Sequence, residues 1–139
     1  MSQHRKLQEV ALTADAHTIR AYAELTQDFN PIHLDPAFAE QTPVGGVIAH
    51  GTMSICLLWK SVEKTFGELD FANLKLDIRF ASPVYLGEVI TAGGQRQEGA
   101  EGCYEVWVRG QDGRDRIAGT LRIHDKDEAN ERLVDKTGD

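Results

Sequence analysis

Three features of the 139-residue chain predict an α+β fold, an antiparallel sheet wrapped around a buried central helix. The first half carries helical periods and helix caps. The second half alternates apolar and polar residues with period two. Between them lies a helical stretch that is apolar over almost its whole first half, the mark of a helix with protein around it.

The elements follow in order. A short strand is expected at Gln8 to Thr13. Thr13 or Asp15 can cap a helix running to about Thr26, with Ile19, Tyr22, Ala23 and Leu25 mostly on one face. Asp28 to Pro31 break that helix, because Asn30 precedes a proline and is pushed out of the α region. Asp35-Pro36 starts a short helix, PAFAEQ, with Asp35 as cap and proline in the first turn. TPVGG is loop. Gly51 to Phe66 is the central helix, closed by Gly67, and Cys56 reads as an inert core residue within it. Leu74, Leu76, Ile78 and Phe80 mark a half-buried strand that Pro83 ends. Glu88 to Gln97 is a weaker strand, softened by Gly93-Gly94. Tyr104, Val106 and Val108 mark the next, and Asp112-Gly113 is a hairpin turn. Ile117, Gly119, Leu121 and Ile123 mark the last.

Composition narrows the function. At 41% apolar and 27% charged residues, the chain reads as one globular domain, residues 1–139, able to bury about two thirds of its unfolded surface. A net charge of -7 argues against nucleic-acid and basic membrane-surface partners. No apolar run approaches the length of a membrane span, and MSQHRKLQEV lacks the apolar core of a signal peptide. Cys56 and Cys103 form no C-x-x-C pair, which suits a reducing, cytoplasmic setting.

The residues able to do chemistry cluster in Asp28-Phe29-Asn30-Pro31-Ile32-His33-Leu34-Asp35. A carboxylate and an imidazole on one small loop can polarise a water between them, which suits acid–base work near neutral pH. The same residues equally fit an Asx-type turn at Asp28 beside a hydrogen-bonded structural histidine. A second feature is Ile48-Ala49-His50-Gly51, where the central helix begins. A helix N-terminus offers free N–H groups and partial positive charge, and Gly51 has no side chain to block a ligand. His4, His17 and His124 are scattered without metal-ligand spacing, so no metal is expected. Ser54 lies in no nucleophile elbow, and Gly45-Gly46 matches no phosphate loop.

These residues carry a family likeness. The stretch DFNPIHLDPAFA, Asp28 to Ala39, matches every fixed position of D-x-N-P-[LIV]-H-x-[DE]-P-x-[FY]-A and is followed by VIAHG. It closely resembles the MaoC-like (R)-specific enoyl-CoA hydratases. FASPVYLGEVIT resembles a second segment of that family, and the general likeness spans about residues 8–125. One departure is Gln27, where the family often has glycine.

The resemblance implies a hot-dog fold and the hydration of trans-2-enoyl-CoA to (3R)-hydroxyacyl-CoA, or the reverse. It implies Asp28 and His33 as a catalytic pair around one water, with Asp28 as general base and His33 positioning the water and supplying the α-carbon proton. It implies the Gly51 N–H as thioester-polarising donor, with His50 beside it at the substrate. Asn30 and Pro31 would shape the loop and Asp35 cap the next helix. No cofactor is required, because the thioester carbonyl already acidifies the α-carbon. A homodimer or larger homo-oligomer is expected, because a small sheet on one helix leaves an edge and an apolar flank open. Other readings keep the fold. They are a dehydratase acting on acyl carrier protein thioesters, an acyl-CoA thioesterase, and a non-catalytic acyl-thioester-binding domain. The intact Asp–Asn-Pro–His loop favours the hydratase or dehydratase. Trp59, Val44 and the residues near Gly45 are candidates to shape an acyl-tail pocket, and Arg79, Lys60 or Lys64 to meet phosphates.

Residues 126–139 read as a charged, solvated tail with Leu133 and Val134 as its sizeable apolar residues. Deleting them is expected to leave melting temperature and turnover nearly unchanged; a large drop in either would show that the tail docks on the fold or site.

Overall fold

In the computed structural model, which describes residues 5–124, five strands make one antiparallel sheet. They are β1 (Val10–Thr13), β2 (Leu74–Phe80), β3 (Val89–Arg96), β4 (Cys103–Gly110) and β5 (Asp115–Ile123), in the order β1-β3-β4-β5-β2. The meander β3-β4-β5 forms the middle, as its period-two alternation predicts. Tyr104, Val106 and Val108 of β4 and Ile117 and Leu121 of β5 are all buried. The edges come from earlier in the chain. Val10 to Thr13 face Ala92 to Val89, and Leu74 to Phe80 run along Ile123 to Ile117.

The helices are α1 (Ala16–Thr26), α2 (Pro31–Leu34), α3 (Pro36–Glu40) and α4 (Gly51–Phe66), followed by a 3-10 turn at Phe71–Asn73. The 16-residue α4 packs on β1, β3 and β4. Its buried face is Met53, Ser54, Leu57, Leu58, Ser61, Val62 and Thr65, a 3.6-residue stripe. The expectation of burial all round is therefore corrected. Cys56 is exposed, because it lies with Thr52 on the opposite side, towards Tyr22 of α1. Two hydroxyls on the buried face, those of Ser61 and Thr65, are hydrogen-bonded. Ser61 Oγ donates to the Gln8 carbonyl at 2.5 Å, and Thr65 Oγ1 accepts the Gln8 N–H at 2.8 Å. These bonds tie the lead-in of β1 to the helix. The result is the hot-dog arrangement, a helix held in a curved antiparallel sheet.

Other sequence expectations shift in detail. Asp15 caps α1 by accepting from Thr18 N–H at 2.8 Å, but Leu25 is 79% exposed because the inner face of α1 runs through Ile19 and Ala23. Arg116, which the alternation of β5 turns outward, is buried. Glu88 reaches its Nε at 3.2 Å and Asp112 its Nη2 at 3.3 Å, so the charge is paired under the β4–β5 hairpin. Among the described residues no helix is long and apolar enough to cross a membrane. His4 and the 126–139 tail lie outside the described residues.

The Gly93-Gly94 pair is a packing requirement of β3. A Cβ on Gly94 would lie 2.6 Å from the Glu105 carbonyl oxygen and 2.9 Å from Leu7 Cδ1. Gly94→Ala is therefore expected to cost about 1–3 kcal/mol as overpacking, read from the urea midpoint with an unchanged m-value.

Candidate active site

The site is built by two neighbouring loops. The first begins where α1 ends. Gln27 takes a left-handed conformation, φ 58°, and caps the helix through its N–H on the Ala23 carbonyl. That backbone explains why a glycine is common at this position of the resembling family. Here a glutamine bears the strain, about 1 kcal/mol or somewhat more, and its Nε2–H donates to the Glu24 carbonyl at 2.7 Å. The chain then turns sharply, so Asp28 leaves the axis of α1.

Asn30-Pro31 repeats the device read at Asp35-Pro36. Asn30, at φ -54° and ψ 128°, accepts the Ile32 N–H on Oδ1 at 3.1 Å, and Pro31 starts α2. The predicted extended break is thus one helical turn, and His33 rides on it. Asp35 ends that turn and caps α3, accepting from Phe38 N–H at 3.2 Å. Its carboxylate serves as the cap expected of it. The Asp28 carboxylate accepts the Asn30 N–H at 3.3 Å.

The second loop is the extended strap Val47–His50 that leads into α4. On one side the Ala49 N–H donates to the Val84 carbonyl at 2.8 Å, and the Leu86 N–H to the Val47 carbonyl at 3.0 Å. On the other side it is bonded to the first loop three times. The Ile48 N–H donates to the Ile32 carbonyl at 3.3 Å. His33 Nδ1–H donates to the Ile48 carbonyl at 2.6 Å. His50 Nε2–H donates to the Asp28 carbonyl at 3.0 Å. The imidazoles of His33 and His50 stack at 3.8 Å between centroids, and the Tyr22 ring meets His50 edge-on at 5.0 Å.

This geometry brings one carboxylate oxygen of Asp28 and one ring nitrogen each of His33 and His50 within 4.8 Å of one another. Asp28 is exposed, His33 half-buried and His50 only 3% exposed. With its Nδ1–H committed to Ile48, His33 has Nε2 as the nitrogen able to exchange a proton with a ligand. The His50 side chain is turned into the fold. Its Nδ1 is a buried acceptor with no partner among the described residues, a feature that typically costs about 1–3 kcal/mol.

The three donors fit a metal poorly. A metal binds in the plane of each imidazole at about 2.0–2.1 Å, and in-plane lone pairs of two stacked rings do not converge on one ion. A shared water needs only hydrogen-bond reach from the carboxylate and one imidazole.

Gly51 begins α4 directly after the strap and is exposed. It has no acidic residue in its first turn and no side-chain cap from His50, so the helix's positive end stays unscreened. The Phe80 ring lies over it; a Cβ on Gly51 would come within 2.9 Å of Phe80 Cε1. A cleft of about 350 Å³ opens there, lined by Ile48, Gly51, Ser54, Phe80 and Pro83.

Sequence reasoning missed Tyr22 and Phe80 as neighbours of the site, reading both only as apolar-face residues. Tyr22 donates its hydroxyl to Thr52 Oγ1 at 2.7 Å. Burial pushes the Tyr22 phenol above its ordinary value. The Thr52 hydrogen bond opposes this, while the neighbouring Cys56 and Asp28 add to it, so the hydroxyl stays protonated at neutral pH. Trp59 is half-buried, with its ring edge-on to Phe71 at 5.4 Å, and lines a cleft of about 440 Å³ with Val62, Leu69 and Leu74 and with Glu63 and Glu68 at its rim. Arg79, Lys60 and Lys64 are exposed.

Comparison with known proteins agrees with this architecture. The chain is 35% identical over 77 residues to the (R)-specific enoyl-CoA hydratase of Aeromonas caviae, a match covering 55% of this chain and 58% of that protein. It is 32% identical over 72 residues to the mitochondrial 3-hydroxyacyl-[acyl-carrier-protein] dehydratase of Arabidopsis thaliana, covering 52% of this chain and 42% of that one. The matches thus span about half the length of these relatives. In fold it is similar to the R-hydratase PhaJ1 of Pseudomonas aeruginosa in its unliganded form, with a TM-score of 0.71 and 22% identity over 91% of this chain and 84% of that one. The MaoC-like domain model matches residues 2–116, which takes in both loops of the site and four of the five strands in full; the chain belongs to the MaoC-like domain family.

Proposed function

We propose that this chain hydrates trans-2-enoyl thioesters to (3R)-hydroxyacyl thioesters, or runs the reverse dehydration. The observation that carries the reading is the approach of the Asp28 carboxylate and an imidazole nitrogen to within 4.8 Å, beside the unscreened N-terminus of α4. The named hydratase and dehydratase relatives support it.

In this reading a water sits between Asp28 and His33, and the thioester carbonyl points at the Gly51 N–H. Asp28 takes a proton from the water as its oxygen adds to the β-carbon. The electron pair of the double bond moves towards the thioester oxygen, where the Gly51 N–H and the helix end stabilise the enolate. His33, entering with a proton on Nε2, gives it to the α-carbon. Transfer of the proton held on Asp28 to His33 restores the pair. Asn30, Pro31 and Asp35 hold the turn that carries them. Trp59 lies eight residues, or about 12 Å, along α4 from Gly51, and the apolar side of its cleft, Trp59, Val62, Leu69 and Leu74, is the proposed place for the acyl tail. The exposed Leu25, Phe29, Phe71 and Phe80 support assembly into a homodimer or larger oligomer.

Asp28→Asn and His33→Ala are each expected to lower turnover by about 10²–10⁴-fold, and the double variant to lose little more, because both act on one proton-transfer unit. Asp35→Asn is expected to keep turnover, since asparagine caps nearly as well. The measurement is loss of enoyl-thioester absorbance with crotonyl-CoA and longer enoyl-CoAs, with circular dichroism as folding control. A folded Asp28→Asn protein at wild-type turnover overturns the mechanism. Release of free CoA instead of a 3-hydroxyacyl thioester makes the protein a thioesterase. Light scattering at micromolar concentration is expected to give at least twice the 15.4 kDa monomer mass.

A further inference from the structure

The mechanism above leaves one buried group unused. His50 is 3% exposed, closed off from a substrate, yet it is a histidine with an orphaned acceptor at Nδ1. Packing alone would be better served by an apolar ring, which would fill the same stack on His33 without burying an unpaired nitrogen. What the histidine supplies is the Nε2–H bond to the Asp28 main-chain carbonyl at 3.0 Å.

We propose that His50 is a positioning residue that sets the Asp28–His33 pair in register with the Gly51 N–H. The inference rests on the hydratase reading for its activity readout. Three observations converge on it. The side chain of His50 grips the backbone of Asp28, the proposed base. Its ring lies 3.8 Å from the His33 ring, the proposed acid, with 26° between planes. Its own peptide bond to the next residue contains the Gly51 N–H, the proposed oxyanion donor. One buried residue therefore touches all three proposed working parts. The neutral tautomer this requires carries its proton on Nε2. The edge of Tyr22 closes the remaining side of the ring at 5.0 Å.

Two substitutions separate the two contributions. His50→Phe keeps a ring in the stack and removes the donor. His50→Gln keeps a donor at the place of Nε2 and removes the ring. His50→Phe is expected to hold or raise the melting temperature, because it removes the buried orphan. It is expected to lower kcat for crotonyl-CoA hydration by about 10–100-fold, the effect of sub-ångström to ångström misplacement, with KM within about 3-fold. His50→Gln is expected to recover most of the kcat lost in the phenylalanine variant. A stable His50→Phe protein with wild-type kcat overturns the proposal, as does a His50→Gln protein that loses as much as phenylalanine does.

A readout independent of turnover is the tautomer. Long-range ¹H–¹⁵N correlation on the wild-type protein is expected to show His50 protonated on Nε2 alone; a His50 proton on Nδ1 overturns the proposal even where neither variant folds. If the wild-type protein hydrates none of the enoyl thioesters, the hydratase reading fails by itself. The positioning role is then judged by whether His50→Phe displaces the Asp28 and His33 resonances, and unmoved resonances overturn it.

Discussion

The structure turns on the cross-bonding of two short loops, the turn from Asp28 to Leu34 and the strap from Val47 to His50. Neither loop has a ladder of its own. Three hydrogen bonds join them, Ile48 N–H on Ile32, His33 on Ile48 and His50 on Asp28. The strap is also bonded to the Val84–Leu86 segment behind it. A buried backbone group without a partner costs free energy comparable to a lost hydrogen bond, so these loops hold one geometry or come apart together. The candidate chemistry inherits that rigidity. The His33 ring and the backbone of Asp28 are both held by bonds in which a main-chain carbonyl is the acceptor.

The sheet makes this possible by fixing where α4 starts. The helix is held lengthwise by its apolar stripe and by the two hydroxyls that bind Gln8. Its N-terminus therefore emerges at one place, under Phe80 at the end of β2. The positive end of that helix adds a local field at Gly51. The Asp28 carbonyl is bonded to His50, the residue just before that end.

Residue types within the motif divide by task. Asn30 and Asp35 are both helix caps followed by proline, and their side-chain oxygens are occupied by Ile32 and Phe38 N–H groups. Asp28 caps nothing of that kind. It bonds only weakly to Asn30 N–H, at 3.3 Å, and its carboxylate remains open to solvent. A motif with three acid or amide side chains thus contains one that is free to act on a ligand. Local backbone chemistry explains which one it is.

The sequence by itself determined the elements. Strand alternation, helix caps and the glycine and proline positions are local properties, governed by sterics and by hydrogen bonds a few residues apart, so the boundaries of α4, β4 and β5 are legible without a fold. Asp28 and His33 stand out as candidates for a related reason, since their residue types form a dense motif, whereas Gly51 stands out only as a glycine at a helix start. Tertiary structure decided what depends on residues far apart in the chain. It decided that β2 pairs with β5 and β1 with β3, because register is set by burial of a whole face. It placed Cys56 outside and Arg116 inside, the first by helix rotation and the second by Glu88 and Asp112 reaching it from other segments. It also buried His50, because only the packed loops bring its Nε2 to the Asp28 carbonyl, 22 residues away in the chain.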